Sequence, residues 1–194
     1  MIWNDARIKE WARNGGVTPY DASLVNPASL DLRLGNTVRV QHECWSYMSK
    51  SDIDWHIHGG TFDDLPLWSE PKTFDTHVMY HGDFVLCHSM EFVRIPPSVA
   101  SILVLKSSKG RAGLNHSHSG WGDPGFGYSD NTINNQGAQW TFELQNLAKK
   151  PFLLVAGQPI IQMVLMNMVD APSVDYRLTG HYVYQSGPTV AWDS

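Results

Sequence analysis

LVLKSSKGRAGLNHSHSGWGDPGFGYSDNTINNQGAQWTFELQN, residues 103–146, opens and closes on strand-like segments with polar chemistry strung between them. At its far end QWTFELQN alternates, with Trp140, Phe142 and Leu144 on one side and Thr141, Glu143 and Gln145 on the other. That period of two belongs to a strand with one buried face. At its near end the apolar residues 102–105 are expected to form a buried strand running into Lys106-Ser107-Ser108-Lys109-Gly110-Arg111. A glycine-laced loop holding Asp123 follows. Two hydroxyls, three cations, a loop aspartate and a strand glutamate are more polar function than a plain core needs, so the site is expected here.

The strand signature continues on both sides. HGDFVLCHSMEFVRIPP, residues 81–97, predicts a turn at Gly82-Asp83, one strand over 84–88, another over 91–95 and a stop at Pro96-Pro97. PFLLVAGQPIIQMVLMNM, residues 151–168, reads as two apolar strands joined near Gly157-Gln158-Pro159. In NPASLDLRLGN, residues 26–36, Leu30, Leu32 and Leu34 alternate with Asp31 and Arg33, the pattern of a half-buried strand. Residues 1–16 form a short helix: Asn4 or Asp5 can cap it, Ile8, Trp11 and Ala12 share a face, and Gly15-Gly16 can end it. Residues 41–75 mix tryptophans, prolines, histidines and acids without period, and read as peripheral or subunit-contacting loops with short strands. Short strands separated by turn signals predict a mainly β fold, a distorted jelly roll or β-barrel with the helix as an accessory. One domain over 1–194 is expected, with 172–194 a polar, aromatic tail that either frays or folds over something.

A chain of 194 residues can bury one real core. Its net charge of −5 argues against gripping nucleic acid by its phosphates. No apolar run approaches the roughly 20 residues of a membrane span, and the charged N-terminus is unlike a signal peptide. Cys44 and Cys87 form no C-x-x-C pair and are expected to be reduced packing residues in the cytoplasm.

Residue by residue, the chemistry stays open. The Lys106 to Arg111 turn offers cations, hydroxyls and backbone N–H groups that suit phosphate oxygens, or it is a solvated turn; it lacks the P-loop spacing. Asp123-Pro124-Gly125-Phe126 sets a carboxylate in a fixed turn near a ring, suited to a sugar, or is simply a β-turn opener. Glu143 is unremarkable on a solvent face but a competent proton shuttle in a closed cleft. His56-x-His58 and His116-x-His118 lack a carboxylate or cysteine partner at ligand spacing. The zinc deaminase signature is missing as well, so no zinc is expected.

Taken together, these segments resemble the dCTP deaminase branch of the dCTP deaminase/trimeric dUTPase superfamily. NPASLDLRLGN is similar to its early D-x-R-L-G-N motif, and Lys106-Ser107-Ser108-x-x-Arg111-x-Gly113-Leu114 to its R-S-S-x-x-R-x-G-L motif. Asp123-Pro124-Gly125-Phe126 resembles the D-P-G-W turn, and Phe142-Glu143-Leu144-Gln145-Asn146 the strand carrying E-F-x-N. Residues 157–162 fall where the family has its next glycine turn, and Tyr182-x-x-Gln185-Ser186-Gly187 looks like the tail motif Y-x-x-Q-x-G. The resemblance implies a homotrimer with active sites between subunits and a deoxycytidine nucleotide substrate, with magnesium only on the triphosphate. It implies that Glu143 is general base and acid, helped by Arg111 and Ser107. Lys106, Ser108 and Lys109 would hold phosphates; Asp123 would bind the 3′-hydroxyl and Phe126 would exclude a 2′-hydroxyl. Ser119, Gly120 and Thr141 would contact substrate, and Tyr176, His181, Tyr182 and Gln185 would close over it.

Lys106 stands where the family has arginine, which turns a bidentate fork into a point charge. His181 stands where the tail has lysine. The loop 113–123 is slightly short, and GYSDNTINNQGA lengthens the connection after Phe126 by roughly ten residues, enough for a lid-like loop. A dCTP deaminase is the first expectation. A dUTPase or coupled dCTP-to-dUMP enzyme is the second, because the chain carries both Asp123 and Glu143. An inactive nucleotide-binding regulator is the third.

Overall fold

The computed structural model describes residues 1–41, 68–117, 120–130 and 136–191. Helix α1 (Asp5–Trp11) is capped by Asn4, whose side chain accepts a hydrogen bond from the Arg7 N–H, and continues into a wide turn over Ala12–Gly16. Ile8 and Ala12 are buried, as the helical spacing requires. The strands follow in order: β1 (Val17–Thr18), β2 (Val25–Asn26), β3 (Ser29–Arg33), β4 (Thr37–Val40), β5 (Lys72–Thr73), β6 (Thr76–Met79), β7 (Phe84–Val93) and β8 (Val99–Leu105). A one-turn helix α2 (Ser107–Arg111) leads to β9 (Leu114–His116), β10 (Trp121–Gly122), β11 (Ala138–Asn146), β12 (Phe152–Val155) and β13 (Pro159–Asn167). Helix α3 (Tyr176–Thr179) sits in the tail.

Two antiparallel sheets organise these strands. One runs β5-β4-β7-β11-β9, with β1 also on β7; the other runs β10-β8-β13-β3-β2, and β12 and β6 form a separate ribbon. Leu32, Ile161 and Met163 from one sheet and Val85, Phe142 and Leu144 from the other join a single buried cluster. The fold is the mainly β jelly roll with a short N-terminal helix expected above.

Two local expectations are corrected. The chain does not turn within 84–95: β7 is one strand of ten residues. Ser89 and Met90 do not break it, because the Ser89 hydroxyl donates to the Glu91 carbonyl (2.6 Å) and accepts from the Trp140 N–H (2.9 Å), so a polar residue is satisfied at 0% exposure. Nor does β3 have a wet face. Asp31 is buried, accepting from the Lys106 ammonium and from Asn26 Nδ2 (2.8 Å). Arg33 donates through its N–H (2.8 Å) and Nε (2.6 Å) to Glu91. The polar half of the alternation points at charges supplied by distant strands. Residues 42–67, with Cys44 and the His56-x-His58 pair, lie outside the described residues. Cys87 is buried, and burial pushes its thiol well above the ordinary range.

Glu91 is 1% exposed, and burial raises its carboxyl pKa against the pull of Arg33. Stripping one partner from such a pair leaves a buried charge unmatched, at a cost of about 3–5 kcal/mol. Arg33→Met should therefore lower unfolding stability by about that much in urea titrations, and Arg33→Met/Glu91→Leu should regain most of it. A single variant as stable as the parent would show that the pair contributes little.

Candidate active site

Glu143 lies near the middle of β11, directly opposite Leu86 of β7. Its half-buried side chain lines a cavity of about 450 Å³. The walls come from three sources. Phe84 and Leu86 line it from β7, together with Trp68 and Trp121. Phe126, Trp140 and Thr141 form the side nearest the Asp123 turn. Tyr176, Tyr182, Gln185, Thr189, Val190 and Ala191 of the tail close the rest. Glu143 thus faces a cleft lined largely by rings, half-buried in it rather than standing in open solvent.

The tail is folded over this cleft. Gln139 at the start of β11 anchors it: its N–H donates to the Gln185 carbonyl (3.0 Å), and its Oε1 accepts from the Gly187 N–H (2.9 Å) and the Ser186 hydroxyl (3.2 Å). Thr141 Oγ1 accepts from the Thr189 N–H (3.2 Å), Arg39 Nε donates to the Pro188 carbonyl (3.0 Å), and the Gly127 N–H donates to the Val183 carbonyl (2.8 Å). Arg177 ties α3 down, paired with Asp175 and, at 2.8 Å, with Asp130 of the long connection. Hydrogen bonds donated to Asp175 and Asp130 push the Arg177 pKa further up, and its guanidinium sits 5.9 Å from the Tyr128 ring centre. Arg177→Ala should loosen this strap. Hydrogen exchange at the Gly187 and Thr189 amides should quicken a few-fold, and added salt should quicken it in the parent too. Unchanged exchange at both amides would show that Arg177 does not hold the tail.

Six sequence-predicted residues meet in the Glu143 cavity: Glu143 itself, Thr141, Phe126, Tyr176, Tyr182 and Gln185. Asp123 lies beside it, accepting from Trp121 Nε1 (2.9 Å). Burial, and then the Asp123 charge, raise the Tyr176 phenol pKa. His181 lines a neighbouring cavity of about 470 Å³ along the tail, together with Tyr182 and Gln185.

The others lie elsewhere. Ser107, Ser108 and Arg111 stand exposed on α2, at the end of β8 in the opposite sheet. Lys106 is engaged with Asp31, and Lys109 donates to Gln158 Oε1 (2.8 Å). Gly120 is buried in the wall of an apolar groove of about 680 Å³ between β8 and β9, where an added Cβ would stand 2.5 Å from the Leu103 carbonyl oxygen. Trp121 lines both this groove and the Glu143 cavity. Ser119 and His118 lie outside the described residues. One chain therefore does not bring Lys106, Ser107, Ser108, Lys109 or Arg111 to the Glu143 cavity. Among the described residues, no group of three or more His, Cys, Asp or Glu is arranged to hold a metal ion, and no helix is long and apolar enough to cross a membrane.

Trp140, Trp68 and residues 189–191 were missed from the sequence. Thr189 carried a local signal in the polar tail; Trp140, assigned by alternation to the core side, carried none.

The chain belongs to the dCTP deaminase-like family, whose model matches residues 2–168. Among its relatives, a protein of Mycolicibacterium vanbaalenii named dCTP deaminase, dUMP-forming, is 34% identical over 190 residues, covering 95% of this chain and 90% of that one. A Streptomyces griseus protein of the same name is 34% identical over 197 residues, covering 98% and 94%. The crystal structure of the 2′-deoxycytidine 5′-triphosphate deaminase of Agrobacterium tumefaciens superposes with a TM-score of 0.60 at 19% identity. That match covers 84% of this chain and 47% of the other, and shows the shared fold.

Proposed function

We propose that the protein hydrolyses dCTP at C4 of the cytosine ring, releasing ammonia. The observation that carries this reading is Glu143, set in a ring-lined cleft beneath a folded tail, in a chain whose relatives are named for that reaction. The Glu143 carboxylate takes a proton from water as its oxygen bonds to C4 and delivers it to N3; it then takes the proton of the new C4 hydroxyl and delivers it to the amine, so that the C4–N bond breaks, ammonia leaves and the uracil carbonyl forms. The site is completed by a second subunit of a homotrimer, whose Arg111 and Ser107 hold the water and whose Lys106, Ser108 and Lys109 face the phosphates. This reading is supported by the position of α2, exposed and away from the Glu143 cavity of its own chain. Preorganised cations and hydroxyls of this kind stabilise charge developing in the transition state. Asp123 holds the 3′-hydroxyl, Phe126 excludes a 2′-hydroxyl, and Tyr176, Tyr182, His181 and Gln185 close over a substrate that arrives as its magnesium complex.

The relatives' shared name favours the coupled reaction that runs on to dUMP, in which Asp123 orients the water that cleaves the triphosphate. Incubation with magnesium and dCTP, followed by cytosine absorbance and released pyrophosphate, separates the cases. Loss of absorbance with pyrophosphate gives the coupled enzyme, and loss without it gives a deaminase that stops at dUTP. Nucleotide binding without product would leave a regulatory protein that keeps the fold.

A further inference from the structure

We infer that Trp140, acting through its stack on Phe126, is a positioning residue that sets the choice between deoxyribose and ribose; this rests on the nucleotide reading above. In a regular strand successive side chains point to opposite faces. Trp140 and Thr141 nevertheless both line the Glu143 cavity. The register against β7 slips between Gln139 and Thr141, and the Trp140 N–H turns to the Ser89 hydroxyl. Ser89, Met90 and Glu91 of β7 thus stand opposite Trp140 alone, so β7 bulges there and bends the ladder where Trp140 sits.

The Trp140 indole, on the buried side of β11 with Phe142 and Leu144, lies flat on Phe126, with ring centres 3.7 Å apart and planes 9° from parallel. The two rings are only 6% and 2% exposed, respectively. On its far edge the indole abuts Gly122, where an added Cβ would stand 2.2 Å from Ser101 Oγ and 2.4 Å from the indole Cη2. Its Nε1–H has no hydrogen-bond partner among the described residues, so packing alone sets its place. Phe126 therefore has a rigid backing and cannot retreat from a sugar that carries one more hydroxyl. An apolar pocket rejects an added hydroxyl by about 10²-fold. A wall able to yield forfeits most of that margin.

The test is the ratio of CTP to dCTP dissociation constants, measured calorimetrically with magnesium. It uses the parent, Trp140→Leu, Gly122→Ala and Trp140→Phe, each checked for cooperative thermal unfolding. The parent should prefer dCTP by about 10²-fold. Trp140→Leu, which removes the backing, and Gly122→Ala, whose methyl crowds both Ser101 and the indole without removing the ring, should each bring the ratio to about 10-fold or less, mainly through tighter CTP binding. Trp140→Phe, which keeps a stacked ring, should retain the preference. A ratio held at the parent's value in whichever of the Leu and Ala variants folds would overturn the inference, since a merely structural loss weakens both nucleotides alike. A parent that prefers dCTP yet makes no product refutes the deaminase reading and leaves this ratio decisive, whereas a parent that binds neither nucleotide overturns both.

Discussion

Glu143→Gln should reduce dCTP turnover by about 10²–10⁴-fold, the contribution of a positioned acid/base group, while the dCTP dissociation constant stays near that of the parent. Glutamine has nearly the shape of glutamate, so the cavity formed with Thr141, Trp140 and Phe126 keeps its walls. What it loses is the ability to take up and release a proton. If the side chain only oriented substrate, the loss would appear in binding and turnover would fall little. Activity close to the parent's would remove Glu143 from the reaction.

Mixing two inactive proteins should restore activity. If each site joins Glu143 of one subunit to Arg111 of the next, Glu143→Gln and Arg111→Ala chains are each dead alone. Heterotrimers refolded from an equal mixture then contain some sites with Glu143 from one variant and Arg111 from the other. Random assembly gives about one quarter of sites intact, so activity should recover to about one quarter of the parent's. The structural ground is that α2, with Ser107 and Arg111 exposed, does not reach the cavity of its own chain. Activity at the sum of the two inactive parents would mean that each site is built within one chain.

Much of this architecture is legible in the sequence. The alternation of QWTFELQN placed Glu143 on a strand, Asn4 capped the first helix, and Gly82-Asp83 turned where expected. These signals are local, and near neighbours in the chain decide them. What escaped depends on distant partners. Asp31 looked like the wet half of an alternating strand, but it is buried against Lys106, 75 residues along the chain. The continuity of β7 through Ser89 depends on a hydroxyl that also serves the Trp140 N–H, 51 residues away. Trp140 is buried on the core face, as its alternation predicts, but its stack on Phe126 at the cavity wall depends on the Asp123 turn, which no hydrophobic period marks. The tail offered two readings, and Gln139 decided between them with an amide oxygen that holds Gly187 and Ser186 over the cleft.

The central claim is that water attacks the pyrimidine ring. Turnover of dCTP in water enriched in oxygen-18, with products resolved by mass spectrometry, tests it most directly. The expected product is a uracil nucleotide carrying one heavy oxygen in the base, plus a second on the released phosphates or dUMP if the triphosphate is also cut. A product that keeps its cytosine and carries the heavy oxygen only on phosphate would contradict it.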